Sequence, residues 1–471
     1  MKKLLTLLLA AGMVVSAANG ASAVEMKVSG EWMASFTFAD NMYNAYGGKE
    51  HPAPLEGSDG SFKAAQRIRI NFDMVASEYL SGRVQLQVAS GADAPNWYEW
   101  GTKGAGDPGY EVTARLAYLD WMIPTTDVLV RMGRQSVAMP SYTFGSSVLD
   151  DVIDGVVVNA PITDMVGVTV GWLRPVGEMQ GWGRDHHAHS NIDLAFLSVD
   201  VAADGFKVTP WGMVGFGGSR AGAEYDKDGK FVAYGSGFDM VGNGTGKEEN
   251  ATAYWVGIGG ELTLFDPFKF TADFMYSGND ADKGLKRSGW YAALGAEMKT
   301  AYATPFLRGW YASGDDDDSD LEGGRFLSVD GAAAFDASSI YYDAYGLLAA
   351  TPDVCSAAGT WGVQLGVKEV SFIEDLSHML SVTYFQGTND DKFVRDGTLR
   401  AAGKVAEDGP IGYMTTEDSA VSIDFLTSYK LYENLTANIL LAYLITDFDK
   451  NVWGQDYDNI FRGTLNFTYA F

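Results

Sequence analysis

From Val24 to the last residue, apolar side chains tend to return at every second position, and any fold of this chain has to satisfy that period. At the start, Val24, Met26, Val28, Gly30, Trp32, Ala34, Phe36 and Phe38 share one face of an extended chain. Glu25, Lys27, Ser29, Glu31, Ser35 and Thr37 share most of the other. At the end, Phe461, Gly463, Leu465, Phe467, Tyr469 and Phe471 alternate with Arg462, Thr464, Asn466, Thr468 and Ala470. Strands of this kind separate an apolar medium from a polar one. The 13% aromatic content with only 13 prolines is that of an ordered chain.

Ahead of the first strand, Met1-Lys2-Lys3 supplies a positive region, Leu4 to Ala18 an apolar one, and Ala21-Ser22-Ala23 a small-residue site. This reads as a secretory signal, residues 1–23, cleaved before Val24, with residues 24–471 forming one domain. Its apolar run of roughly 15 residues is short of the ~20 that a membrane-spanning helix needs. Later in the chain the most apolar stretch, Leu435 to Ile445, is broken by Thr436 and Asn438 and alternates as a strand does.

Many amphipathic strands without helices make either a sandwich whose apolar faces meet or a barrel whose apolar face meets lipid, and connection lengths decide between them. Tight connections occur at Ser77 to Tyr79, Pro124 to Asp127, Pro161 to Asp164, Ala202 to Gly205, Asp266-Pro267, Lys299-Thr300, Phe372 to Ser377 and Lys430 to Asn434. Longer polar segments lie between them, so that short and long connections alternate. A sandwich has no reason to sort its connections. The expected fold is therefore all-β: a transmembrane antiparallel up-and-down β-barrel of about 18 strands, with 16 as the alternative, short periplasmic turns and long extracellular loops.

With 61 acidic against 34 basic residues, the net charge of −27 opposes nucleic-acid binding. A single cysteine, Cys355, forms no internal disulfide. Within this acidic chain, several arginines sit on the polar side of the alternation. Arg67 and Arg69 oppose Ile68, Ile70 and Phe72; Arg83 opposes Val84 and Leu86; Arg115 opposes Leu116; Arg131 opposes Val130 and Met132. Facing lipid at mid-bilayer would cost each about 2–4 kcal/mol, so they are expected to point into the lumen. Arg134 breaks the alternation with Arg131; either Gly133 permits a bulge that brings it inward, or Arg134 already begins the loop. Asp150, Asp151 and Asp154 are expected to face this basic wall from an inward-folded loop, setting a transverse field across a water-filled constriction.

Two clusters suit metals less well. His186, His187 and His189 lack a spaced partner ligand. Asp315, Asp316, Asp317 and Asp318 carry oxygens suited to Ca²⁺ or Mg²⁺, which would bridge lipopolysaccharide phosphates, but they read first as a solvated acidic tip. No nucleophile and histidine stand together, so no enzyme is expected and no cofactor beyond such loop-bound cations.

The chain resembles the trimeric general porins of Gram-negative bacteria, and among them the outer-membrane homotrimeric porins of sulfate-reducing bacteria. The terminal Phe471 behind alternating aromatics resembles the signal read by the barrel-assembly machinery. Arg115-Leu116-Ala117-Tyr118 and Met132-Gly133-Arg134-Gln135 resemble pieces that lie, in the family, on adjacent strands ahead of the loop that enters the lumen. That loop would span about Ser136 to Asp154. Its Pro140-Ser141-Tyr142-Thr143-Phe144-Gly145 lacks the acidic member of the family's Pro-Glu-Phe-Gly-Gly turn. The resemblance implies a homotrimer in the outer membrane that passes small hydrophilic solutes and ions by passive diffusion. A substrate-selective porin and a structural or adhesive barrel are the alternatives.

Overall fold

The computed structural model describes residues 24–41, 61–89, 97–101, 110–176, 191–217, 223–225, 231–234, 251–281, 286–317, 322–329, 333–340, 356–395, 410, 412–454 and 456–471. The expected signal 1–23, the His186, His187 and His189 cluster, Asp318 and Cys355 lie outside the described residues.

Eighteen long strands form one sheet: β1 (Glu25–Asp40), β2 (Ser61–Ser77), β3 (Leu80–Ala89), β4 (Glu111–Met122), β5 (Leu129–Ala138), β6 (Asp150–Pro161), β7 (Val166–Val176), β8 (Ile192–Ala203), β9 (Phe206–Gly217), β10 (Ala251–Phe265), β11 (Phe268–Ala281), β12 (Lys286–Met298), β13 (Thr304–Ala312), β14 (Thr360–Ile373), β15 (Leu376–Gly387), β16 (Ser419–Tyr432), β17 (Leu435–Asp447) and β18 (Ile460–Ala470). Each pairs antiparallel with its sequence neighbour, and β1 pairs with β18 from Glu31 opposite Ala470 to Asp40 opposite Phe461. The sheet is thus a closed barrel, which leaves neither edge exposed. Among the described residues no helix is long and apolar enough to cross a membrane.

Closure depends on a small residue. Gly30 donates its N–H to the Phe471 carbonyl at 2.7 Å and accepts from the Phe471 N–H at 3.0 Å, while the phenyl ring lies where a Cβ of residue 30 would be.

The connections at one end are tight, from Asp204 and Gly205 between β8 and β9 to residues 123–128 between β4 and β5. Those at the other end are long, with one exception. β11 runs to Ala281 and β12 begins at Lys286, so only four residues separate these two strands. There Asn279 accepts the backbone N–H of Arg287 at 2.6 Å.

Alternation sorts the side chains as the period requires. On β10 to β12, Trp255 and Tyr291 point inward and are fully buried, while Val256, Phe274 and Leu294 point outward and are at least half exposed. An outward face this apolar across the strands is the lipid-facing band of a transmembrane barrel.

Candidate functional site

Two segments fold inside the barrel. The first, residues 139–149 between β5 and β6, crosses toward β9 to β13. Asp273 on β11 accepts the backbone N–H groups of Tyr142 at 2.9 Å and Thr143 at 2.7 Å. The Tyr142 hydroxyl meets Thr209 on β9 at 2.6 Å, and Arg308 on β13 donates to the Thr143 carbonyl at 2.9 Å while lying 4.3 Å from the Phe144 ring centre. The loop thus has a carboxylate on its donors and a guanidinium on its acceptor, which are charge-assisted bonds of the stronger kind.

The second segment belongs to the connection between β13 and β14. Ala334 N–H donates to the Ser146 carbonyl, Val329 N–H to the Val148 carbonyl, and Gly145 N–H to Asp336 at 3.1 Å, so the two segments join edge to edge. Phe335 packs on Phe144 at 4.7 Å and on Trp310 at 5.1 Å. From there the chain reaches the far wall: Gln364 and Thr383 donate to the Ala337 carbonyl, Ser339 N–H donates to Asp424 on β16, and Arg462 on β18 donates to the Ser339 carbonyl at 2.7 Å. Together they make a strap across the lumen.

Further toward the long-connection end, Arg287 and Asp315 form a fully buried ion pair at 2.7 Å, and the Tyr413 hydroxyl donates to the same carboxylate. Burial first, and the Asp315 charge second, hold the Tyr413 phenol well above its ordinary pKa. Asp315 is therefore not the solvated tip expected from its acidic run. Asp316 and Asp317 are exposed, and among the described residues no three His, Cys, Asp or Glu side chains are placed to hold a metal.

The strap leaves the inward face of β2 to β5 as a basic wall, and the structure sorts its arginines by partner. Arg83 holds Asp73 through two bonds of 2.6 and 3.0 Å, and Arg131 holds Asp120 through two of 2.7 and 2.8 Å, beneath the Tyr118 ring. These two charges are neutralised across neighbouring strands. Arg69 donates to Gln87 at 2.8 Å and Arg115 to Gln85 at 3.1 Å, and among the described residues neither has a carboxylate in salt-bridge contact. Arg67 has Glu31 at 3.5 Å and the Trp97 ring at 4.8 Å. Arg67, Arg69 and Arg115 thus gather the rest of the wall's positive charge.

The bulge lies at Arg115, not at Gly133. Gln85 faces Leu116 but Leu86 faces Ala114, so Arg115 is the extra residue and turns inward beside Leu116. Pairing runs through Gly133 without a shift, and its φ of +120° together with a backbone oxygen 2.3 Å from any added Cβ confines the position to glycine. Arg134 accordingly points outward, where it pairs with Asp154 at 3.1 Å. Arg174 and Asp193, at 2.8 Å, lie in register beside them on β7 and β8.

Asp150, Asp151 and Asp154 are strand residues of β6 rather than residues of an inward-folded loop. The register with β5 turns Asp151 inward beside Val137 and turns Asp150 and Asp154 outward. The loop-borne carboxylate that does face the interior is Asp336, 3.5 Å from Arg308 and with 38% of its side chain exposed. Asp273, Arg308, Asp336, Asp424 and Arg462 were not singled out by sequence reasoning. Four of them carried a usable signal: a charge at an inward-parity position between outward apolar or small residues, as in Ala272-Asp273-Phe274 and Ile423-Asp424-Phe425.

No protein-family model and no curated protein matches this sequence. Solved structures do. OccK2 (OpdF) of Pseudomonas aeruginosa superposes with a TM-score of 0.55 at 11% identity, over 94% of this chain and 97% of that one. OpdQ of the same organism gives 0.52 at 12% identity, over 95% and 97%. OccAB3 of Acinetobacter baumannii gives 0.50 at 10% identity, over 94% and 99%. At such identities the likeness is one of fold, the closed barrel along its whole length.

Proposed function

We propose that this chain is an outer-membrane channel that passes small hydrophilic solutes and ions, selecting small anions at Arg67, Arg69 and Arg115. The observation that carries this reading is the sorting of the arginines. Three guanidiniums share one stretch of inward wall, with Glu31 3.5 Å from Arg67, whereas Arg83 and Arg131 are cancelled by bidentate partners. Guanidinium stays charged at any working pH and binds carboxylates in a planar fork. The acidic loops matter less to a solute at this depth, because screening limits their reach to ~8 Å at physiological salt.

Asp336 on the strap and the inward Asp151 of β6 are the carboxylates that set the field against this wall. No bond is broken. OccK2 has been solved in complex with glucuronate, a carboxylate-bearing solute of the chemistry that such a wall would admit. That favours a solute-selective channel over a general one. Within the same reading, residues 1–23 direct export, residues 24–471 form the barrel, and the long connections face outward toward lipopolysaccharide. Phe471 serves the assembly machinery, and the resemblance to general porins implies a homotrimer.

Planar-bilayer conductance tests selectivity. With glucuronate as the current-carrying anion, current is expected to saturate with concentration, as binding at the guanidiniums requires. A current strictly linear in glucuronate, like that for chloride, would mean an unselective pore.

A further inference from the structure

We propose that Trp97 is the positioning residue for Arg67 and thereby helps set the anion preference of the channel; this rests on the reading that Arg67 lines the filter. β3 ends at Ala89, so the upper part of β2 would lack a partner on that side. Residues 97–101 supply one: Tyr98 pairs with Gln66, Glu99 with Ala65, and Trp100 N–H donates to the Ala64 carbonyl at 2.8 Å. Alternation then sends Trp97 into the barrel, where it is 3% exposed and packs with Met33, Ala65, Leu426 and Leu440. Trp100 goes outward, edge-on to Phe36.

The Trp97 ring lies 4.8 Å from the Arg67 guanidinium carbon, with Met33 Sδ at 3.0 Å from one Arg67 nitrogen and Glu31 at 3.5 Å. A cation over the face of an indole is attracted by the ring quadrupole, more strongly where water is excluded. The ring holds the guanidinium at a fixed place, at a distance from Glu31 longer than a close ion pair. Without the ring, the guanidinium can close further on Glu31, and its charge is matched more fully although every arginine remains. This makes the filter depend on a segment outside the long strands.

The test is the reversal potential of folded channels under a salt gradient. Arg67→Gln tests the underlying reading by itself: a shift toward cation preference supports it, and no shift removes both that reading and the role of Trp97. Given that shift, Trp97→Leu and Trp97→Met, which keep apolar bulk without a ring, should each reproduce about half of it or more, whereas Trp97→Tyr should retain the native value. Combining Trp97→Leu with Arg67→Gln should add nothing to Arg67→Gln alone. Native selectivity in both ringless variants, full additivity in the double variant, or a Tyr variant as altered as the Leu one would overturn the assignment. Two ringless variants guard against one failing to fold, which heat-modifiable mobility reports.

Discussion

Replacing Asp273 with alanine is expected to release the inward loop and raise single-channel conductance, with the barrel itself intact. Its carboxylate accepts two backbone N–H groups, those of Tyr142 and Thr143, inside the lumen. Losing two bonds to a charged acceptor, with both donors left in place, should weaken docking of the loop by about 3 kcal/mol or more. Arg308 cannot compensate, because it grips the same residue by its carbonyl. Asp273→Asn should show a smaller rise, since one amide oxygen can still accept. The barrel pairing of β11 uses backbone groups and stays as it is. Conductance equal to the native value in folded Asp273→Ala channels would mean that the loop is held elsewhere and that this clasp does not define the passage.

Gly30→Val is expected to lower the yield of closed barrel several-fold. A Cβ at this position would lie 2.4 Å from the Phe471 ring and 2.6 Å from the Arg69 carbonyl oxygen. The ring can swing away, but the carbonyl belongs to the neighbouring strand, so β1 must separate from β2 or distort. Overpacking of this kind costs about 1–3 kcal/mol, and here it falls at the seam where β1 meets β18. Deleting Phe471 should act at the same seam by removing both backbone bonds to Gly30. Gly30→Ala should be impaired as well, since the clash begins at Cβ. The fraction of heat-modifiable protein in the outer-membrane fraction checks this. A native yield for Gly30→Val would show that the seam tolerates the strain and that Phe471 does not need the recess.

Much of the barrel was legible because its physics is local. A period of two, interrupted by turns, places Arg67, Arg69, Arg83 and Arg131 on the inward face without knowledge of any partner. Arg115 needed more, since its orientation follows from a bulge against Gln85 that no single strand reveals. For Arg134 neither a bulge at Gly133 nor an early start of the loop holds: the glycine's positive φ is absorbed without a register shift and the strand continues to Ala138. The loop placement of Asp150, Asp151 and Asp154 has the same root, because an acidic run after a polar segment looks like loop until the pairing of β6 with β5 is known. The strap was the least legible part. Gly145 and Asp336 are 191 residues apart, and nothing in Ala333-Ala334-Phe335 announces that it will be threaded past Trp310.

The central claim, that three incompletely neutralised guanidiniums select the solute, is tested most directly by the reversal potential under a salt gradient when Arg67, Arg69 and Arg115 are together changed to glutamine. The account predicts anion preference in the native channel and a marked shift toward cations in the variant. Arg83→Gln with Arg131→Gln should move it less, because each of those arginines is already matched by a carboxylate. A native channel without anion preference, or a triple variant with the native reversal potential, would contradict the account.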